Sequence, residues 1–358
     1  MAISVIDKIK KFWPFGQVKM TAIGVDQFLP SQDARAFTAK VIARPSATSR
    51  DLLIKVLASA INPVDIKMRE SYKNNGEFRV FGFDAVGEVI SKGSQVTDFQ
   101  VGDKVFYAGA QMRQGSNAEY QLVDERLVAL APQTLRDEEI AAMPLTSITA
   151  SEILGDAMGY QIDSNSAQGH TIFIVNGAGG VGSTLIQLAK YMGMVVITTA
   201  SRPESVAWVK SLGADYILDY HQDLQVQLTK IGHDQVDNIA ILQNTNAYWS
   251  LVLQTIKPFG HIVSIVETTA PIDMAPLKNR GVQFSWVFMF AKANYGIAME
   301  TQGQALSKIS QLLEEGKIKS TLTKTYHGLT AENIRQATQD VESGRMIGKV
   351  VVRHNEEI

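Results

Sequence analysis

The stretch Thr171-Ile-Phe-Ile-Val-Asn-Gly-Ala-Gly-Gly-Val-Gly-Ser183 decides the fold. Its first five residues, 171–175, form a short β-branched and aromatic run of strand type. Gly177, Gly179 and Gly182 then spell G-x-G-x-x-G, with Gly180 and Val181 inside the same loop. Residues 181–191 follow with helical spacing (Leu185, Leu188, Ala189) and stop before Gly193. The pattern carries little alone, but between a strand and a helix each glycine has work to do. The first permits a tight turn, the second lets backbone approach a pyrophosphate, and the third lets helix and strand pack closely. The helix N-terminus adds unpaired N–H groups and the positive end of its dipole.

Working outward, the alternation repeats. Residues 194–199, 216–219, 237–242 and 261–266 read as strands, and 203–212 and 246–256 as helices. A sixth strand is expected over 282–290. Strands alternating with helices imply βαβ crossovers and an α/β fold with a doubly wound parallel sheet. The second strand ends in Thr-Thr-Ala-Ser-Arg-Pro over 198–203, without the acid that would accept from a ribose 2′-hydroxyl. Ser201 can donate to a phosphate oxygen, and Arg202 can pair with a 2′-phosphate. The expected cofactor is therefore NADP(H) rather than NAD(H).

Upstream the rhythm differs. Runs at 51–57, 87–90, 103–107 and 119–123 are short, strand-like and separated by turn residues, which predicts a mostly β domain. Downstream, Leu306, Ile309, Leu312 and Leu313 mark one helix, Ile334, Ala337 and Val341 another, and 348–353 a last strand. Ahead of all this, Ile3, Ile6, Ile9 and Trp13 with interleaved lysines give a short basic amphipathic pattern, read as an extension before a domain that begins near Met20. The 358 residues fit two domains. Lys and Arg number 34 against 36 Asp and Glu, a balance that gives no field for nucleic acid or anionic membrane. No apolar run is long enough to span a bilayer and no secretory pattern opens the chain, so a cytoplasmic location is expected. Cysteine is absent, which excludes disulfides, thiolate metal sites and a cysteine nucleophile.

Ordered pieces along the chain resemble the medium-chain dehydrogenase/reductase superfamily, and most closely its zinc-free quinone oxidoreductase branch and the zinc-type alcohol-dehydrogenase-like group. These pieces lie at 60–67 (AINPVDIK), 82–89 (GFDAVGEV), 101–105 (VGDKV), 117–120 (NAEY), 144–150 (PLTSITA), the glycine loop with 186–190, and 348–351 (GKVV). The resemblance implies a GroES-like catalytic domain over 20–147 after the extension 1–19, a Rossmann domain over 148–290, and a return to the catalytic domain over 291–358. It implies a cleft between the two. There Asn62 lines the nicotinamide site, Thr146 and Lys349 stand near the cofactor, Tyr220 near the adenosine phosphate, and Leu242 and Val266 near the nicotinamide ribose. The zinc enzymes of the superfamily carry Gly-His-Glu where this chain has Gly82-Phe83-Asp84, and all six histidines lie at or beyond 170.

Without a Lewis acid a simple carbonyl is hard to polarise. A quinone or activated enone spreads the charge it gains, so a hydrogen-bond donor suffices. Asn62, Lys67 and Tyr72 are the candidate donors, with Tyr72 the first choice for protonation. Asp65 and Asp84 could meet in the cleft, but two carboxylates alone would hold zinc poorly. The expected reaction is metal-free hydride transfer from NADPH to a quinone or enone. A 2-alkenal or enoyl-thioester reductase, or an NADPH-binding protein without catalysis, are the alternatives. The apolar run at 282–290 is expected to pair with its copy in a homodimer.

Overall fold

A computed structural model of the chain describes residues 18–72 and 77–355. The amphipathic pattern at 3–13 falls outside them. Fifteen strands are found among the described residues. β1 (Lys19–Gly24) and β2 (Thr38–Ala43) pair as an antiparallel ribbon. A seven-stranded sheet is built from β3 (Asp51–Ala60), β4 (Asp84–Lys92), β5 (Lys104–Tyr107), β6 (Tyr120–Asp124) and β7 (Val128–Leu130), together with β14 (Leu322–His327) and β15 (Lys349–Arg353) from the tail. β15 lies antiparallel to β3, with Val351 opposite Ala60. The end of the chain is thus part of the first sheet. β14, parallel to β15 at the sheet edge, has no counterpart in the sequence reading.

The second sheet holds β8 (Thr171–Val175), β9 (Val195–Thr199), β10 (Tyr216–Leu218), β11 (Val236–Ile241), β12 (Ile256–Ser264) and β13 (Gln283–Trp286). Its order is β10-β9-β8-β11-β12-β13 and every pair is parallel. This is the doubly wound arrangement expected, with the strand order reversing beside β8. Register puts Val175 opposite Ile241, and Ile241 opposite Ser264. The loops that follow β8, β11 and β12 therefore open at one level, along the carboxyl edge of the sheet.

β13 is shorter than the 282–290 read from sequence. Its partner β12 stops at Ser264, which lies opposite Trp286, so no ladder remains beyond that row. Val287 donates one last bond to the Ser264 carbonyl at 3.0 Å. The apolar run continues for another reason: Val287, Met289 and Phe290 are buried, and Phe290 lies with its ring 4.5 Å from that of Phe83. They join a core cluster holding Phe106, Ile140 and Met143 from the first sheet's side and Ile172, Leu185 and Ile186 from the second. One apolar core thus runs from sheet to sheet and fixes the two against each other.

Candidate functional site

The chain enters the site at the end of β3. Asn62 precedes the helix Pro63–Glu70, whose first residue is a proline, a position where the missing N–H costs nothing. An Asn there usually caps the helix with its side chain. Here the Asp65 carboxylate takes up the backbone N–H of Asn62 at 2.8 Å and that of Gly82 at 3.0 Å. The Asn62 carboxamide is released to another task. Its Nδ2 donates to Asp84 Oδ2 at 2.8 Å, and its Oδ1 accepts from the Lys349 ammonium. Lys349 also donates to Asp84 Oδ2 at 2.8 Å and to the Ile61 carbonyl at 3.2 Å. The second Asp84 oxygen accepts from the backbone N–H of Leu145 at 2.6 Å.

All of these groups are buried: the side chains of Lys349 and Asp84 are 4% and 0% exposed. Burial pushes the Asp65 carboxyl up to about 7, against the pull of its two backbone hydrogen bonds and the nearby Lys349 charge. Asp65 and Asp84 both bond to Asn62, Asp65 to its backbone N–H and Asp84 to its carboxamide, and both are buried. Their oxygens are engaged by N–H groups and an ammonium, with no imidazole or thiolate beside them. Among the described residues no three His, Cys, Asp or Glu side chains converge. This donor set does not fit zinc.

The glycine loop meets this cluster. A Cβ on Gly180 would lie 3.0 Å from Thr146 Cγ2 and 3.1 Å from Lys349 Cδ. Thr146 is buried in the helix Pro144–Glu152, its hydroxyl on the Met143 carbonyl at 3.1 Å and receiving Thr184 at 3.3 Å. On Gly182 a Cβ would come 2.5 Å from the Asn176 carbonyl and 2.6 Å from Gly177 Cα. That is the close packing the third glycine of the motif exists to allow. The helix Gly180–Tyr191 starts in the loop, with Gly179 at its N-cap. The tail seals the arrangement through the Gly348 N–H, 2.9 Å from the Ala178 carbonyl.

Past β9, the buried Ser201 Oγ has no hydrogen-bond partner among the described residues. Arg202 stands next to it at the N-cap of the helix Pro203–Ser211 and donates to the Arg345 carbonyl at 2.7 Å. An orphaned hydroxyl with an arginine next in the chain, just past the carboxyl end of β9, fits a phosphate on the ribose 2′ position. The loop at 177–182, half-buried at Gly179 to Val181 and opening the helix Gly180–Tyr191, fits the pyrophosphate.

The remaining candidates are dispersed. Lys67 reaches across to Glu267, beyond β12, at 3.1 Å, and both side chains are largely exposed. The Tyr72 hydroxyl donates to the Glu77 carbonyl within its own loop, and its ring packs edge-on against Phe81. Leu242 is buried directly after β11. The Val266 carbonyl accepts from Thr245 Oγ1 at 2.5 Å. Tyr220 is turned toward a cavity of about 570 Å³ shared with Asp223, Gln243, Asn244 and Tyr248. Sequence reasoning missed Asp84 as a partner of Asn62, Asp65 as its backbone anchor, and Arg345 as the support of Arg202. Asp84 carried a signal in its place where the zinc enzymes have the Glu of Gly-His-Glu, and Asp65 in its capping-box spacing three residues after Asn62.

Comparison with known proteins agrees with this fold. Residues 48–133 match the alcohol dehydrogenase GroES-like domain and 212–352 the zinc-binding dehydrogenase family. A zinc-type alcohol dehydrogenase-like protein of Staphylococcus aureus is 40% identical over 336 residues, which is 93% of this chain and 99% of that protein. The chloroplastic NADPH-dependent alkenal/one oxidoreductase of Arabidopsis thaliana is 29% identical over 87% of this chain and 74% of its own. The quinone oxidoreductase of Coxiella burnetii superposes with a TM-score of 0.77 at 28% identity, covering 94% of this chain and 99% of its own. A mycobacterial protein, Rv1454c, solved in complex with NADPH, gives 0.78 at 25% identity, covering 93% and 100%. The chain belongs to the medium-chain dehydrogenase/reductase superfamily and is an oxidoreductase of that type, with zinc-type alcohol-dehydrogenase-like relatives and quinone oxidoreductase neighbours.

Proposed function

We propose that this oxidoreductase is NADPH-dependent and reduces a quinone or an activated enone without a metal ion. The observation that carries the reading is the donor set at the cleft. Asp84 is paired with Lys349, and the buried Asn62 carboxamide that bonds to both keeps one N–H without a partner among the described residues, a hydrogen-bond donor rather than a Lewis acid. A single neutral donor suits an acceptor that delocalises its own charge, as a quinone or enone does. When bound, the reduced nicotinamide supplies the hydride. The chain's part is to hold the pyrophosphate over the loop at 177–182, to grip the 2′-phosphate with Ser201 and Arg202, and to place an Asn62 N–H at the acceptor oxygen. Lys67 uses one ammonium hydrogen on the exposed Glu267 and the Tyr72 hydroxyl donates to the Glu77 carbonyl; in this reading Asn62 is the donor and protonation falls to water. The names of the alkenal/one oxidoreductase and the quinone oxidoreductase support the substrate class, and the NADPH complex of the mycobacterial neighbour supports the cofactor.

The same reading includes a homodimer. β13 ends the second sheet with its outer edge unpaired, and Trp286 and Phe288 beside it are 51% and 47% exposed. Two such edges pairing antiparallel would cover both aromatics.

The test follows NADPH absorbance with purified protein against quinones, enones, 2-alkenals and enoyl thioesters. Turnover greatest with quinones or enones is expected. Preference for alkenals or thioesters would move the substrate class, and tight NADPH binding with no turnover of any acceptor would make the protein a binder.

A further inference from the structure

We infer that Lys349 is the positioning residue of Asn62 and not a ligand of the cofactor's phosphates, an inference that rests on reading Asn62 as the donor to the substrate oxygen. An ammonium has three hydrogens and no acceptor. Lys349 places them on Asp84 Oδ2 at 2.8 Å, on the Ile61 carbonyl at 3.2 Å and on Asn62 Oδ1. None remains for a phosphate oxygen. What Lys349 offers the glycine loop is its aliphatic stem, which lies against Gly180.

The same contacts fix which way the Asn62 amide points. A carboxylate only accepts and an ammonium only donates. Asn62 Oδ1 must therefore face Lys349, and Nδ2 must face Asp84, as found. Reversing the amide would set an N–H against the ammonium and a carbonyl oxygen against the carboxylate. One Nδ2 hydrogen is used on Asp84, and the other has no partner among the described residues. On the reading proposed above, this is the hydrogen offered to the substrate oxygen.

The frame that holds this orientation is itself held. Asp84 is tied by the Leu145 N–H. Lys349 follows Gly348, which has a φ of +59° and whose Cβ would stand 2.3 Å from the Thr321 carbonyl. The Gly348 N–H is bonded to Ala178 of the glycine loop. The tail strand thus connects the cofactor loop to Asn62, 287 residues upstream of Lys349.

The experiment compares wild type, N62A, K349M and N62A/K349M. It reads NADPH dissociation constants by fluorescence titration, and kcat and KM with the best acceptor. K349M is expected to keep NADPH affinity within about threefold while kcat falls on the order of 10- to 100-fold. The double variant is expected to be no slower than N62A alone, because a residue that acts only through Asn62 has nothing left to position. A tenfold or greater loss of NADPH affinity in K349M, or losses that multiply in the double variant, would overturn the inference. K349M leaves Asp84 buried and unpaired. The D84N/K349M variant, which removes both charges, carries the same measurements if K349M does not fold. If wild type turns over no acceptor, the reading of Asn62 has failed on its own. The NADPH titration of K349M still decides the phosphate question: unchanged affinity supports the inference and a tenfold loss overturns it.

Discussion

In the proposed reading, Ser201 and Arg202 together set the cofactor preference. A buried hydroxyl without a partner costs the folded chain free energy, and a phosphate oxygen would recover it. Arg202→Ala is expected to weaken NADPH about 10- to 100-fold, the value of a charged hydrogen bond worth about 1.5–3 kcal/mol, with NADH affinity unchanged. Ser201→Ala should weaken NADPH while leaving the melting temperature of the free protein unchanged or higher. Equal losses for NADPH and NADH in titrations of either variant would refute the 2′-phosphate assignment. Asp65 carries a different signature. Burial raises its carboxyl from 3.8 to about 7 in the folded chain. The folded state then binds the proton more tightly than the unfolded chain. Its contribution to stability is complete below pH 4 and is lost as the pH rises through 7, a decline on the order of a few kcal/mol. Urea unfolding at steps from pH 4 to 7 should show this decline in wild type and a flatter profile in Asp65→Asn. Parallel profiles would show that Asp65 does not titrate in this window.

At the scale of elements, the strand, glycine loop and helix over 171–191 form the unit that everything else attends. Gly182 is the point of closest approach, and the atoms a Cβ would meet there are backbone, which cannot move aside. Gly182→Ala is expected to cost about 1–3 kcal/mol and to weaken NADPH, because the helix must lift from the strand. Gly180→Ala meets its closest neighbours at side-chain atoms, Thr146 Cγ2 and Lys349 Cδ at 3.0 and 3.1 Å, with backbone no nearer than 3.7 Å, and should cost less. Thermal melts that rank the two variants the other way would contradict this. The edge strand β13 makes the second prediction at this scale. Trp286→Glu places a charge at the proposed contact and should convert a dimer into a folded monomer. Light scattering that shows wild type as a monomer at micromolar concentration would dispose of the dimer directly.

For the whole molecule, the continuous core from Phe83 to Phe290 and Ile172 holds the two sheets in one relation, so the cleft is a product of packing between them. Within it the carboxylates are committed to Asn62, Lys349 and backbone N–H groups. The expected outcome is that activity survives prolonged chelation and that zinc is far below one per chain by elemental analysis. Stoichiometric zinc, with activity lost on chelation and restored by the metal, would return the substrate class to alcohols and simple carbonyls.

The doubly wound sheet was legible in the sequence because each strand, loop and helix is specified locally, by a period of two or 3.6 residues and by glycines at fixed offsets. The same locality exposed Ser201 and Arg202, which sit one turn beyond a strand end, and Asn62 came from a resemblance to related sequences. The strand expected at 282–290 was overextended because burial of Val287, Met289 and Phe290 against the other sheet looks, in one dimension, like the interior of a strand. β14 was invisible because its partner β15 lies further along the chain and its exposed residues give no apolar alternation. Only the tertiary structure could assign the partners of Asn62. Asp84 and Lys349 lie in pieces that carry the resemblance, and Arg345 has ordinary neighbours, but nothing in the sequence says what any of them touches. Their roles arise from approaches across 22, 287 and 143 residues, to Asn62 in the first two cases and to Arg202 in the third. The sequence determined which elements form and where a dinucleotide can lie; the packing of the tail against the glycine loop decided which side chains face one another, because hydrogen-bond direction is set by distance and angle and not by spacing along the chain.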